Sequence, residues 1–117
     1  MLRINKLINI LYSSFFIILL IALTACEGEN HLQQAIKYAE AAVIANDGKT
    51  IVKHSEISKM HAFSASNQEK LSSSDRIHLA VGIVSLDQAI KKGKYDANDS
   101  ARKAARGAMA HFKEVTK

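Results

Sequence analysis

The chain has 117 residues, with 16 Lys plus Arg, 11 Asp plus Glu, five His, one Cys and neither Pro nor Trp. Its formal charge of +5 includes Arg3 and Lys6 of an apolar leader, and the excess left beyond them is too small to define a nucleic-acid-binding surface. The residues from Cys26 onward suffice for one small domain and leave no room for a second or for a deep enzyme cleft, and a lone cysteine excludes both an internal disulfide and a cysteine-based zinc site.

Residues 1–25 have the anatomy of an export signal: Arg3 and Lys6 form a positive head, Phe15 to Leu23 are almost purely apolar, and small residues follow. The end of this leader, Leu23-Thr24-Ala25-Cys26, resembles the lipobox of bacterial lipoproteins, in which the cysteine thiol is joined to diacylglycerol before cleavage. The resemblance implies that Cys26 becomes the lipidated first residue and that the bilayer is a partner through its acyl chains. Glu27, where an aspartate would mark retention, implies the outer rather than the inner membrane. Each buried acyl methylene contributes about 0.8 kcal/mol, so several chains anchor what one would hold only marginally. Two other readings stay open, an uncleaved span over Leu7 to Cys26 and ordinary cleavage after Ala25.

Residues 26–30 form a short polar tether, and the rest, 31–117, is expected to be one all-α domain. The spacing predicts a first helix over Asn30 to Ala45, capped by Asn30, with Leu32, Ala35, Ile36, Ala39 and Val43 on one stripe. Gly48 is expected to close it in the left-handed conformation of a helix terminus. A second helix runs from Thr50 to about Ser66, with Ile57, Met60 and Ala65 as buried candidates. Ser72 to Asp75 supply a loop and cap, and the third helix, Asp75 to Lys92, carries Leu79, Gly82, Ile83, Leu86 and Ile90, with Gly93 as its stop. Asn98 to Ser100 cap the last helix, which buries Ala101, Ala104, Ala105, Ala108, Phe112 and Val115. Four helices joined by such short loops pack most simply as an antiparallel up-down-up-down four-helix bundle. Leu32-Gln33-Gln34-Ala35-Ile36-Lys37 returns as Leu86-Asp87-Gln88-Ala89-Ile90-Lys91, which points to a duplicated helical hairpin.

The domain holds His31, His54, His61, His78 and His111, no two of them three or four residues apart, so no helix chelates a metal alone. His54 and His61 share a face but are separated by roughly 10 Å of axial rise. In the predicted topology His31, His61, His78 and His111 all approach one end of the bundle, and they are the expected ligand set, in one layer, with His54 as a separate, weaker site. Imidazole suits Cu(II), Zn(II) and Ni(II). Glu27, Glu29, Asp75 and Glu114 lie near the same end as oxygen donors or imidazole partners, and Met60 and Met109 are candidate soft ligands that more often serve as core filler. Dispersed surface histidines without a metal remain the plain alternative.

The series His31-Leu32, Ala35-Ile36-Lys37-Tyr38-Ala39-Glu40-Ala41-Ala42, then His54 and His61 one heptad apart, His78 with Gly82, Leu86 to Lys91, and Ala108-Met109-Ala110-His111-Phe112 resembles the small metal-binding protein family. The resemblance covers residues 31 to 115. It implies an exported, histidine-rich four-helix protein that binds several divalent metals, copper first and nickel or zinc as alternatives, in scavenging or buffering. It also implies that His31, His54, His61, His78 and His111 are the matched ligands. Tyr38, Val81, Ser85, Lys92 and Ala104 stand where the family pattern tends to carry histidine, which implies a lower metal capacity.

From Arg76 onward nine basic residues face four acidic ones. Lys91, Lys92 and Lys94 suit the negative end of a helix dipole, and Arg102, Lys103 and Arg106 form a group that is most simply a solvated face. No nucleophile–base pairing or phosphate-cradling loop is present, so the expectation is a non-enzymatic, lipid-tethered metal binder of the cell envelope. The rival is a structural or interaction bundle without metal.

Overall fold

Short polar caps set the starts of three of the four helices. In the computed structural model, which describes residues 30–68 and 70–115, the Asn30 side chain accepts a 2.8 Å hydrogen bond from the Gln33 N–H. Asp47 accepts one of 2.7 Å from Thr50 N–H, and the Ser72 hydroxyl one of 3.0 Å from Asp75 N–H. Each satisfies a donor that the first helical turn leaves without a backbone partner. The helices are α1 (His31–Ile44), α2 (Gly48–Ser66), α3 (Ser73–Lys94) and α4 (Asn98–Glu114). The leader and Cys26 lie outside the described residues.

Adjacent helices in the chain pack against each other, α1 closes the ring on α4, and the α2–α4 diagonal touches only slightly. This is the expected all-α, up-down-up-down four-helix bundle. Its core is built largely of alanine. At one end Ala35, Ala39, Ala62, Ala65, Leu79, Ile83, Leu86, Ala108, Phe112 and Val115 pack together; at the other, Ala42, Ala45, Ile51, Ala89, Ala101 and Ala105 do so. Ser55 and Ser58 are buried with them, and the Ser58 hydroxyl donates a 2.6 Å bond to the Ala35 carbonyl, tying α2 to α1. Small side chains let the helices approach closely, and one aromatic ring fills much of the remaining space: Phe112 lies against Gly82, where an added Cβ would collide with the ring.

Four local expectations need correction. Gly48 does not end α1; it opens α2, and no glycine among the described residues has positive φ. Gly93 does not stop α3, which continues to Lys94. Both glycines serve a close crossing instead: a Cβ on Gly48 would collide with the Gly93 carbonyl oxygen, and one on Gly93 would meet Val52 at 2.8 Å and the Gly48 carbonyl at 3.0 Å. The left-handed residue that ends α3 is Asp96, φ 56°, where Ala97 N–H reaches the Lys92 carbonyl and Asp96 N–H the Gly93 carbonyl, the paired bonds of a Schellman turn. Asn98 is the first residue of α4 rather than its cap, which is Ala97 without a side-chain bond. Met60 is 68% exposed, because α2 turns Ser58 and Ala62 inward and leaves position 60 on the far side.

The burial patterns of α2 and α4 correspond, at an offset of fifty residues rather than the fifty-four that separate Leu32 from Leu86. Ile51, Ser55, Ser58, Ala62 and Ala65 on α2 are buried, and so are Ala101, Ala105, Ala108, Phe112 and Val115 on α4, each fifty residues further on. This register also pairs His61 with His111.

Candidate metal centre

Burying that alanine stripe turns the intervening positions towards the seams between helices, and the histidines lie there. His31, the first residue of α1, meets His61 near the end of α2: the Nδ1 atoms are 3.0 Å apart and the ring centroids 5.3 Å, with planes tilted by 33°. His78 in the second turn of α3 meets His111 in the last turn of α4 in the same way. Their Nδ1 atoms are 3.3 Å apart, their centroids 5.6 Å, and their planes tilted by 35°. Each pair thus closes one helical hairpin at the same end of the bundle. With both rings neutral, one Nδ1–H donates to the other Nδ1.

The expected single layer of four imidazoles is not formed. The α1–α2 and α3–α4 seams lie on opposite sides of the ring of helices, and Ala35, Ala62, Leu79, Ala108 and Phe112 fill the space between them. Among the described residues no three His, Cys, Asp or Glu side chains gather closely enough to hold an ion. Asp75 and Glu114 therefore do not complete either pair, and Met109 packs on the core.

His54 joins neither pair directly, yet it is not isolated. Tyr38 lies between His54 and His61, with centroids 6.1 Å from the first at 27° and 5.8 Å from the second at 6°. Along the chain Tyr38 is only a position where the family pattern tends to carry histidine. Its signal was available: Tyr38 follows His31 by one heptad, as His61 follows His54, so both lie on the same seam. The His54 Nδ1 is buried and has no hydrogen-bond partner among the described residues.

Two nitrogens each about 2.0–2.1 Å from one ion, at right angles or tetrahedral angles, sit roughly 2.9–3.4 Å apart. Both Nδ1 separations fall in that interval. With both rings carrying their proton on Nε2 instead, the two Nδ1 atoms are spaced for adjacent positions on one borderline transition-metal ion, the other positions being left to water or a small ligand.

His61 is held below the ordinary histidine value, first by partial burial of its ring and then by the neighbouring His31. The neutral ring, the form that ligates metal, is favoured. Between the lowered folded value and the unfolded value of about 6.5 the unfolded chain binds more protons. This group's contribution to stability is complete above about pH 6.5 and is lost as pH falls through the folded value. A proton NMR titration of the metal-free protein should put the His61 midpoint below 6.5; a midpoint above it contradicts the geometry.

Each hairpin of the bundle thus presents two adjacent imidazoles at one end, His31 exposed and His61, His78 and His111 half-buried. The chain belongs to the small metal-binding protein family, whose model matches residues 5–115. A comparison with curated proteins found no match.

Proposed function

We propose that the protein binds divalent transition metals at two centres, His31–His61 and His78–His111, with copper the preferred ion and nickel and zinc accepted. The observation that carries this reading is the pair of Nδ1 separations, 3.0 and 3.3 Å, which suit adjacent ligands on one ion. Copper comes first because nitrogen donors follow the order in which Cu(II) exceeds its neighbours. Two protein ligands per ion leave exchangeable positions, which favours scavenging or buffering over permanent storage. The family is defined by metal binding and not by a reaction, in keeping with a non-enzymatic role. Calorimetric titration with Cu(II) at neutral pH should give two ions per chain; no binding would leave a bundle without metal.

The same reading places the domain in the cell envelope, tethered by an acylated Cys26, on the outer rather than the inner membrane. Its support is the sequence Leu23-Thr24-Ala25-Cys26-Glu27. Metabolic labelling with palmitate should mark the native chain and not Cys26→Ser, whose membrane fraction should fall. Labelling of both would overturn the anchor.

A further inference from the structure

The two hairpins repeat each other in their buried positions but not in what fills their seams. On α2 and α4 the fifty-residue register sets His54 opposite Ala104 and His61 opposite His111. On α1 and α3 the buried Ala35, Ala39 and Ala42 match the buried Gly82, Leu86 and Ala89, forty-seven residues on, and this register sets His31 opposite His78 and Tyr38 opposite Ser85. Where one seam is packed by Tyr38 and His54, the other has Ser85 and Ala104, which line an open groove with Gln88, Lys92, Lys103 and Gly107.

We infer that Tyr38 is a positioning residue for the α1–α2 centre and that it makes this centre fill before the α3–α4 centre. The inference rests on the reading of both histidine pairs as metal sites. His31 is exposed at the start of its helix, so the geometry of its pair depends on what restrains His61. The Tyr38 ring lies nearly parallel to the His61 ring, at 6°, and is backed by the half-buried His54 on its other side. The stacked Tyr38 ring thus disfavours the His61 rotamers that would carry the His61 Nδ1 away from His31. The only ring set against His111 among the described residues is that of His78, and the place of Tyr38 is taken by Ser85, which brings a hydroxyl near Gly107 of α4 rather than an aromatic ring. The His78–His111 pair is the more buried of the two but lacks the second stacked ring, so metal binding there has to order an imidazole that no such ring holds, and one side chain ordered in advance is worth about two- to tenfold in affinity.

Each centre serves as the other's internal reference. The full chain, purified in detergent, is titrated with substoichiometric Cu(II) while the imidazole and Tyr38 ring signals are followed by NMR, where paramagnetic broadening reports occupancy. Before metal is added, the His54 and His61 ring protons should show upfield ring-current shifts in the wild type and in Tyr38→Phe, and lose them in Tyr38→Leu. On titration, His31 and His61 should broaden ahead of His78 and His111 in the first two proteins, whereas in Tyr38→Leu the lead should shrink or vanish. Ser85→Tyr, which rebuilds the ring in the other seam, should narrow the lead from the opposite side and decides the matter if Tyr38→Leu fails to fold. Equal filling in the wild type, or a lead unchanged in both Tyr38→Leu and Ser85→Tyr, overturns the inference alone. Absence of broadening at all four histidines overturns the metal reading and the inference with it.

Discussion

Replacing His61 and His111 together by alanine is expected to remove specific metal binding, while each single substitution removes one of two ions. The reason lies in the pairing. His61 touches His31 across α1–α2, and His111 touches His78 across α3–α4, and no third His, Cys, Asp or Glu stands by to compensate among the described residues. A lone surface imidazole holds a divalent ion weakly, so losing one partner costs most of the affinity of that centre. Neither ring belongs to the packed core, so the substitutions should leave the helical circular dichroism unchanged. Calorimetry with Cu(II) on the wild type, His61→Ala, His111→Ala and the double variant should give stoichiometries of two, one, one and none. Two sites surviving in either single variant would refute the pairing, and loss of both in a single variant would restore a shared site.

The largest effect on stability is expected at Phe112. It is fully buried and heads the fully buried side chains by volume, its ring lying on Gly82 of α3 among alanines and the aliphatic side chains of Leu79, Ile83, Leu86 and Val115. Removing a buried phenyl ring in this way costs about 3–5 kcal/mol, a large share of the roughly 5–15 kcal/mol available to a small domain. The leucine, isoleucine and valine side chains of the same cluster can close in only partly on a hole of that size. Urea unfolding of Phe112→Ala in the absence of metal should show this loss, with a smaller one for Phe112→Leu; a loss under about 1 kcal/mol would show that the ring is not the keystone of this end. Phe112 adjoins His111, so saturating Cu(II) should return part of the loss. A ligand at a hundred times its Kd stabilises by about 2.7 kcal/mol per site. An unchanged melting temperature with metal would rule out this coupling.

Much of the fold was legible in the order of residues, because an amphipathic helix carries its own evidence. The alanine stripes of Ala35–Ala39 and Ala101–Ala105–Ala108, the Asn30 cap and the serine-rich turn before α3 are all local features, and each appears where its chemistry places it. The glycines depart from their local signal for a tertiary reason. Glycine commonly ends helices by adopting positive φ, but Gly48 and Gly93 are each required by the other, since two backbones approach there with no room for a Cβ. Only the packed pair distinguishes that use from a terminus. Phe112 was legible as core, whereas its seat on Gly82 was not.

The sequence by itself determined that five histidines would ride on an antiparallel bundle with four of them towards one end, since helix order and residue counts are enough to set axial level. It could not determine the angle at which each leaves its helix relative to a neighbour. That angle depends on how the alanine faces settle against one another, and it decided that His31 meets His61 and His78 meets His111 on opposite sides of the core rather than in one layer. Axial position is a sum of rises along one chain, while azimuth is a property of two helices in contact. For the same reason Tyr38, a departure from the histidine pattern when read along the chain, became in the folded bundle the ring that packs between two of the imidazoles.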